Sequence, residues 1–465
     1  MKLVTTSALQ HTIDVLATAA RHFPRLRGTW QHPKVAHLNE LCLAHFLRPA
    51  LASLILSLVS LRAGAEPQPG DVFSEFTFNE GAKPGTHTSE LDPGIKRDFS
   101  KNFTWAKDAP RHAPHPLVLD LAGATRAELS VEFWGGHIGT SGQKFNVNSN
   151  GWFDLPQPQG TPGRPECCYR TLLGNNAVPI PLAHLRDRTN FVQFAAGPQL
   201  CYGFDFGFYW IYSFTIRVYY GADRSHAAGE IVTPRAGAAI GDGAELTVRI
   251  KQPGPGVKRV EFLAECDDFD WDGDGVWREW QYQTRYGALS HHLGTATNAP
   301  WKVTWQNQWL PDQSQPLRLV ARITDQNSVT SLSPAIEGVR LARAGRSVTM
   351  HRATMVPERF TARAGKRMSC PIELPASLAG VRAARLAVST WSGSTDRDCA
   401  HEISLNERRV ANRFGRFHDY SFDLLEVPVE LLKPGTNEFG IYSEFEGHGF
   451  EINWPGPVLL LERTK

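Results

Sequence analysis

Apolar and polar residues alternate with a period of two along much of this chain. In the run 127–134, Leu129, Val131 and Phe133 alternate with Glu128, Ser130 and Glu132; in 214–220, Phe214, Ile216 and Val218 alternate with Thr215, Arg217 and Tyr219. Runs at 116–121 and 191–194 behave likewise, and Gly, Pro and Asn punctuate the gaps. Such spacing predicts the short strands of an antiparallel sandwich from Phe73 to Tyr220. The signature returns at 244–250, 303–305 and 317–323, and again over 348–462. No long amphipathic helix interrupts it, and the small residues from Gly221 onward read as a linker.

The last third of the chain repeats the first. Arg126 to Trp134 answers Ala384 to Trp391, Val147-Asn148 answers Leu405-Asn406, and Thr189-Asn190 answers Thr436-Asn437. Gly203-Phe204-Asp205-Phe206 answers Gly449-Phe450-Glu451-Ile452, in the same order along both segments. The block 427–437, with Val427-Pro428-Val429 and Lys433-Pro434-Gly435-Thr436-Asn437, resembles the galactose-binding-domain-like jelly rolls found beside glycoside hydrolases. The first unit departs from that pattern, since Asp187-Arg188 replaces the Pro-Gly turn and an insertion surrounds Cys167-Cys168. The middle segment, with Leu246-Thr247-Val248 and a later Leu319-Val320-Ala321-Arg322 strand, is similar to the immunoglobulin-like modules of secreted bacterial proteins. These resemblances imply an all-β chain, two jelly-roll β-sandwiches separated by an immunoglobulin-like β-sandwich. The corresponding boundaries are a leader over 1–65 and domains over 66–222, 228–343 and 346–465.

The densest chemistry lies in the middle segment. Five aspartates and two glycines crowd into 267–275, between two strand-like runs, and so many like charges need solvent or a cation. Read from Asp268, the residues fit the calcium-loop pattern D-x-D-x-D-G-x5-E, with oxygens from Asp268, Asp270 and Asp272, a turn at Gly273 and Glu279 closing the loop. Asp274 would offer its carbonyl or carboxylate. Both flanks read as strands, so the expected role of the Ca²⁺ is structural and no helix-loop-helix is implied.

At 465 residues the length suggests about three domains on a prior of roughly 150 residues each. Arg48 precedes the apolar run 50–61, and Ala63-Gly64-Ala65 fits the small-residue cleavage rule, so a signal peptide ending near Ala65 is expected. That run is too short to span a bilayer. Removing residues 1–65 takes away seven Lys/Arg and two Asp/Glu, leaving 42 against 45 and a net charge of −3. The expectation is an extracellular, periplasmic or cell-surface protein with no membrane span in the mature chain and no basic nucleic-acid surface. In such a compartment Cys370 could pair with Cys399, and Cys201 with Cys167 or Cys168; buried free thiols are the alternative.

Catalytic motifs are sparse: there is no metal-ligand His pair at helical spacing, no G-x-S-x-G and no phosphate loop. Glu132, Asp205, Glu402, Glu444 and Glu451 are carboxylates available for acid–base work, which needs two at a set separation. The segment Asp396-Arg397-Asp398-Cys399-Ala400-His401-Glu402 is similar to peptide N-glycosidases, but no catalytic assignment follows from it. The reading is a non-catalytic binder of a glycan or cell-surface polymer, with a secreted hydrolase or a purely structural surface protein as rivals. Sugar binding wants an aromatic face beside a few polar groups. His448, Glu451 and Trp454, with Trp391, supply that mixture in the third unit; Asp205, Tyr209 and Trp210, with Trp152, supply it in the first. The regular alternation around Trp134 and Trp391 also fits a core position, whereas three turn formers follow Trp454 and place it on a loop.

Overall fold

A computed structural model describes residues 66–78, 115–134, 139–160, 171–172, 177–197, 200, 209–391, 401–416, 420–446 and 449–465, with the backbone alone at Trp134, Thr171, Leu172 and Trp210. All of them lie within one compact unit, Gly64–Lys465. The fold is all-β as expected: among the described residues every regular element is a strand except two 3₁₀ turns, Leu182–His184 and Val429–Leu431.

Three cores organise the strands, each between two sheets. In the first, Leu129, Val131, Phe214, Ile216 and Val218 of strands Ala124–Trp134 and Trp210–Tyr220 face Leu117, Leu119, Phe145, Val192 and Phe194 from the sheet of His115–Leu119, Arg188–Ala195 and Lys144–Val147. The alternation visible in sequence is this inward set. In the middle core, Leu246, Val248 and Trp305 of the sheet of Ala228–Thr233, Ala244–Gln252 and Lys302–Trp305 face Val260, Phe262, Leu319 and Ile323 of Val257–Asp267 and Leu317–Asp325. The third packs Leu386, Val388, Leu459 and Leu461 of Val381–Trp391 and Val458–Thr464 against Cys370, Ile372, Ile403, Phe439 and Ile441 of Lys366–Leu374, His401–Leu405 and Gly435–Ser443. Burying each large apolar side chain stabilises by about 1.5–3 kcal/mol, so the inward sets hold these sheet pairs together.

The first and middle cores share a sheet. Strand Val72–Phe78 pairs along its whole length with Trp210–Tyr220 and, from Val72 to Ser74, with Val329–Leu332. Its outer face carries Glu75, which receives Arg217 Nη2 at 2.8 Å from the first sandwich and Arg322 Nη2 at 2.6 Å from the middle one. Arg217 also contacts Glu128, and both guanidiniums lie over the Phe73 ring, at 5.3 and 5.5 Å. A charged ladder thus sits where an eleven-residue strand is buried on both faces.

The first and third sandwiches meet through aromatic side chains. Trp391 Nε1 donates to Tyr212 OH at 2.9 Å, and Tyr212 packs edge-on against Tyr420 and Tyr286. Arg285, from the hairpin of Gln283–Arg285 and Ala288–Ser290, lies 4.3 Å from the Tyr420 ring centroid and donates to the Tyr420 carbonyl. Cys370 is a free, buried thiol, the alternative that the sequence left open, and burial pushes its pKa up to about 12. Cys399, like Cys167, Cys168 and Cys201, lies outside the described residues.

Candidate metal centre and groove

Strands Val257–Asp267 and Arg278–Trp280 form a hairpin in the register Glu265 to Trp280, Cys266 to Glu279 and Asp267 to Arg278. The chain between them has one organising side chain. Asp270 Oδ1 accepts from Gly273 N at 2.7 Å and Asp274 N at 3.1 Å, and its Oδ2 accepts from Gly275 N at 2.8 Å. Asp272 accepts from Asp274 N, and Asp274 from Val276 N at 2.6 Å. Folding the backbone round one carboxylate requires left-handed residues, supplied by Gly273 at φ +75° and Gly275 at φ +90°.

This turn brings carboxylate oxygens of Asp270, Asp272, Asp274 and Glu279 within 4.8 Å of one another, an arrangement that could hold a metal ion. The three aspartates are at most 7% exposed, so water does little to screen them. Burial, with the charge of Asp274, raises the Asp270 carboxyl to about 7. Burial also pushes Glu279 up to about 12, helped by Asp272, Asp274, Glu66 and Asp270. Three buried carboxyls and a half-buried fourth at this spacing ionise together only where a cation offsets their repulsion, and an all-oxygen donor set suits a hard divalent ion.

The cluster starts at Asp270, two residues later than the D-x-D-x-D-G reading from Asp268, and puts Gly275 rather than Gly273 at the sixth place. Asp268 stands apart. Its Oδ1 accepts from Phe269 N at 2.7 Å and its Oδ2 from Trp271 Nε1 at 3.4 Å, which fixes it at the loop's base. There it lines a cleft of about 370 Å³ with Trp271, His291, Trp305, Trp309 and Leu424. His291 stacks on Trp271 with centroids 3.9 Å apart.

The acidic loop sits where the three sandwiches meet. Gln159 of the first donates its N–H to the Asp274 carbonyl at 2.5 Å, and a Cβ on Gly275 would stand 2.2 Å from the Gln159 carbonyl oxygen. From the third, the Trp454 carbonyl lies 3.2 Å from where a Cβ on Gly273 would be. Beside this contact runs a groove of about 620 Å³, lined by Gln159, Gly275, Trp277, Arg352, Thr354, Met355 and Trp454. The Arg352 guanidinium lies 3.5 Å from the Trp277 ring centroid.

The residues expected to bind a ligand scatter. Trp454 is half-buried and lines the groove. Trp391 is buried against Tyr212, and Glu451, buried, pairs with Trp391 and Thr361 across its strand. Tyr209 is buried, its OH donating to the carbonyls of Lys144 and Ala195. A ligand could not stack on Trp391 or Tyr209, or reach Glu451, without parting the packing around them. Trp152 is half-buried with Lys144 Nζ 5.4 Å from its ring. Trp210 pairs with Trp134 through its backbone, and His448 and Asp205 lie outside the described residues. Of the candidate acid–base carboxylates, Glu132 is buried too, accepting from Ser213 Oγ and Tyr286 N. Trp277 and Arg352 were missed. Trp277 could have been found as the aromatic residue inside the acidic loop, but no local signal joins it to Arg352.

No family model matches this chain, and no curated protein matches it. Solved structures resemble it at low identity. A β-porphyranase of glycoside hydrolase family 86 from the human gut bacterium Bacteroides plebeius is 12% identical with a TM-score of 0.21, over 54% of this chain and 38% of that one. A Bacteroides ovatus protein from a mixed-linkage glucan utilization locus, in complex with a mixed-linkage heptasaccharide, is 10% identical with a TM-score of 0.16, over 75% and 70%. A calcium-binding mutant of a Bacteroides uniformis β-glucuronidase is 10% identical with a TM-score of 0.16, over 53% and 31%. This chain therefore spans well under half the length of the porphyranase and the glucuronidase. Among the described residues no helix is long and apolar enough to cross a membrane.

Proposed function

We propose that this chain is an exported, non-catalytic glycan-binding protein whose middle domain carries a structural Ca²⁺ site. The observation that carries the reading is the groove beside Trp454. A pyranose ring presents C–H faces that stack on indole and hydroxyls that need donors and acceptors. Trp454 and Trp277 supply aromatic surface, while Arg352, Gln159 and Thr354 supply polar atoms in the same concavity. Asp270, Asp272, Asp274 and Glu279 would hold the cation, whose charge offsets their repulsion and fixes the loop. In this reading the domains are jelly rolls over 66–222 and 346–465 round an immunoglobulin-like domain over 228–343, released from the leader near Ala65.

A glycan array run beside a reducing-sugar release assay tests it. Binding of one or more oligosaccharides without release, lost in Trp454→Ala, supports the reading. Release of reducing ends from a bound glycan makes the chain a hydrolase, and an empty array leaves it a structural surface protein.

A further inference from the structure

A buried amide oxygen points to a ligand at the acidic cluster independently of the carboxylates. Gln281 is 2% exposed, and its Nε2 donates to the carbonyls of Cys266 and Trp277, each at 3.2 Å. Its Oε1 is buried with no hydrogen-bond partner. Leaving such an acceptor unsatisfied costs about 1–3 kcal/mol. Gln281 follows Glu279 by two residues, just beyond the strand Arg278–Trp280 that carries Glu279. Counted from Asp270, it also occupies the twelfth place, where a calcium loop takes its closing oxygen ligand.

The loop that gathers these oxygens is also a wall of the groove. Residues 275–277 hang between the carboxylates of Asp274 and Glu279, and Gly275 and Trp277 face the groove. The Asp274 carbonyl fixes Gln159 on the opposite side, and Gly273 backs onto Trp454. Because one loop carries both the carboxylates and these contacts, a change in the carboxylates' spacing on ion binding would carry over to Trp277, Gln159 and Trp454.

We propose that a Ca²⁺ held by Asp270, Asp272, Asp274 and Glu279, with Gln281 Oε1 as an additional ligand, sets the shape of the groove between Trp277 and Trp454, so that glycan binding there depends on calcium. The proposal rests on the glycan-binding reading for its ligand, while its effect on the groove is measurable with calcium alone. The four methionines make this practical: Met355 lines the groove and is 70% exposed, whereas Met368 packs against the third core.

In ¹³C-methyl-methionine spectra of the full chain, calcium added after chelator treatment should shift Met355 saturably and leave Met368 in place. Asp270→Asn and Glu279→Gln should abolish the shift, with an unchanged Met368 signal reporting that the third sandwich remains folded. Gln281→Leu should raise the calcium concentration at half-saturation. A Met355 signal that stays put while calorimetry records calcium binding overturns the coupling and leaves the cation reading standing; absence of calcium binding overturns both. An unchanged midpoint in Gln281→Leu removes Gln281 from the ligand set. Array hits should disappear in chelator, and hits retained there overturn the calcium dependence without touching the glycan-binding reading.

Discussion

Asn406 donates a 2.8 Å hydrogen bond from Nδ2 to Asn437 Oδ1, and Asn148 makes the same bond, at the same length, to Asn190. The surroundings match as well. Asn437 accepts from Lys433 N and donates to the Lys433 and Gly435 carbonyls, as Asn190 does with Arg186 N and the Arg186 and Arg188 carbonyls. Asn406 and Asn148 both sit at positive φ, +51° and +54°. In each sandwich two asparagines lock a 3₁₀ turn and a strand start to the end of a neighbouring strand. This is the physical content of the repeat seen in sequence.

Asn437 is fully buried and makes four hydrogen bonds, so Asn437→Ala strands several polar groups at once. At about 1–3 kcal/mol for each unsatisfied group, the expected loss is about 3 kcal/mol or more. Asn190→Ala should cost a similar amount. Urea denaturation of both variants checks this, and a loss under 1 kcal/mol in either would mean its network contributes little.

The two copies differ at one strained position. Gly435 opens its strand at φ +77°, and the equivalent Arg188 takes φ +74° with a side chain that resists it. Arg188 is exposed, and space around Gly435 is open, so backbone conformation alone decides both substitutions. Arg188→Gly should stabilise by about 0.5–1 kcal/mol, and Gly435→Ala should destabilise by about 1 kcal/mol. Midpoints of chemical denaturation moving in opposite directions would bear this out.

The charged ladder at Glu75 makes stability depend on acid pH. Burial alone would raise the Glu75 carboxyl, but Arg322 and Arg217 override it and hold it at about 2, below the ordinary 4.5. A depressed carboxylate contributes its full stabilisation above pH 4.5 and loses it as pH falls from 4.5 through 2. The shift corresponds to about 3 kcal/mol. Glu75→Gln leaves Arg217 and Arg322 short of a counter-charge, so it should destabilise by about 3–5 kcal/mol at neutral pH. The gap between wild type and variant should narrow from pH 5 down to pH 2.5 in thermal melts. A gap independent of pH would contradict the assignment.

Much of the fold was legible because period-two alternation reports which side chains face a sheet's partner, and the asparagine positions mark matching turns. The acidic loop was legible as a cluster of carboxylates that could hold a metal ion, but its register was not: the turn is decided by which backbone N–H groups a carboxylate captures, and Asp270 rather than Asp268 captures those of Gly273, Asp274 and Gly275. Trp391 carries a signal compatible with either core or ligand, and only the neighbouring Tyr212 resolves it. The groove was illegible, since Gln159, Trp277, Arg352 and Trp454 come together through contacts among three sandwiches that no local pattern encodes. The same holds for strand Val72–Phe78, whose second partner lies more than 250 residues away.

The cation site is tested most directly by the melting temperature of the full chain in excess calcium and in chelator, alongside Asp270→Asn. An ion that binds only the folded state stabilises it by about 2.7 kcal/mol at a hundred times its Kd. Wild type should melt several degrees higher in calcium, and the variant should show no difference between the two conditions. Superimposable wild-type curves would contradict the cation site.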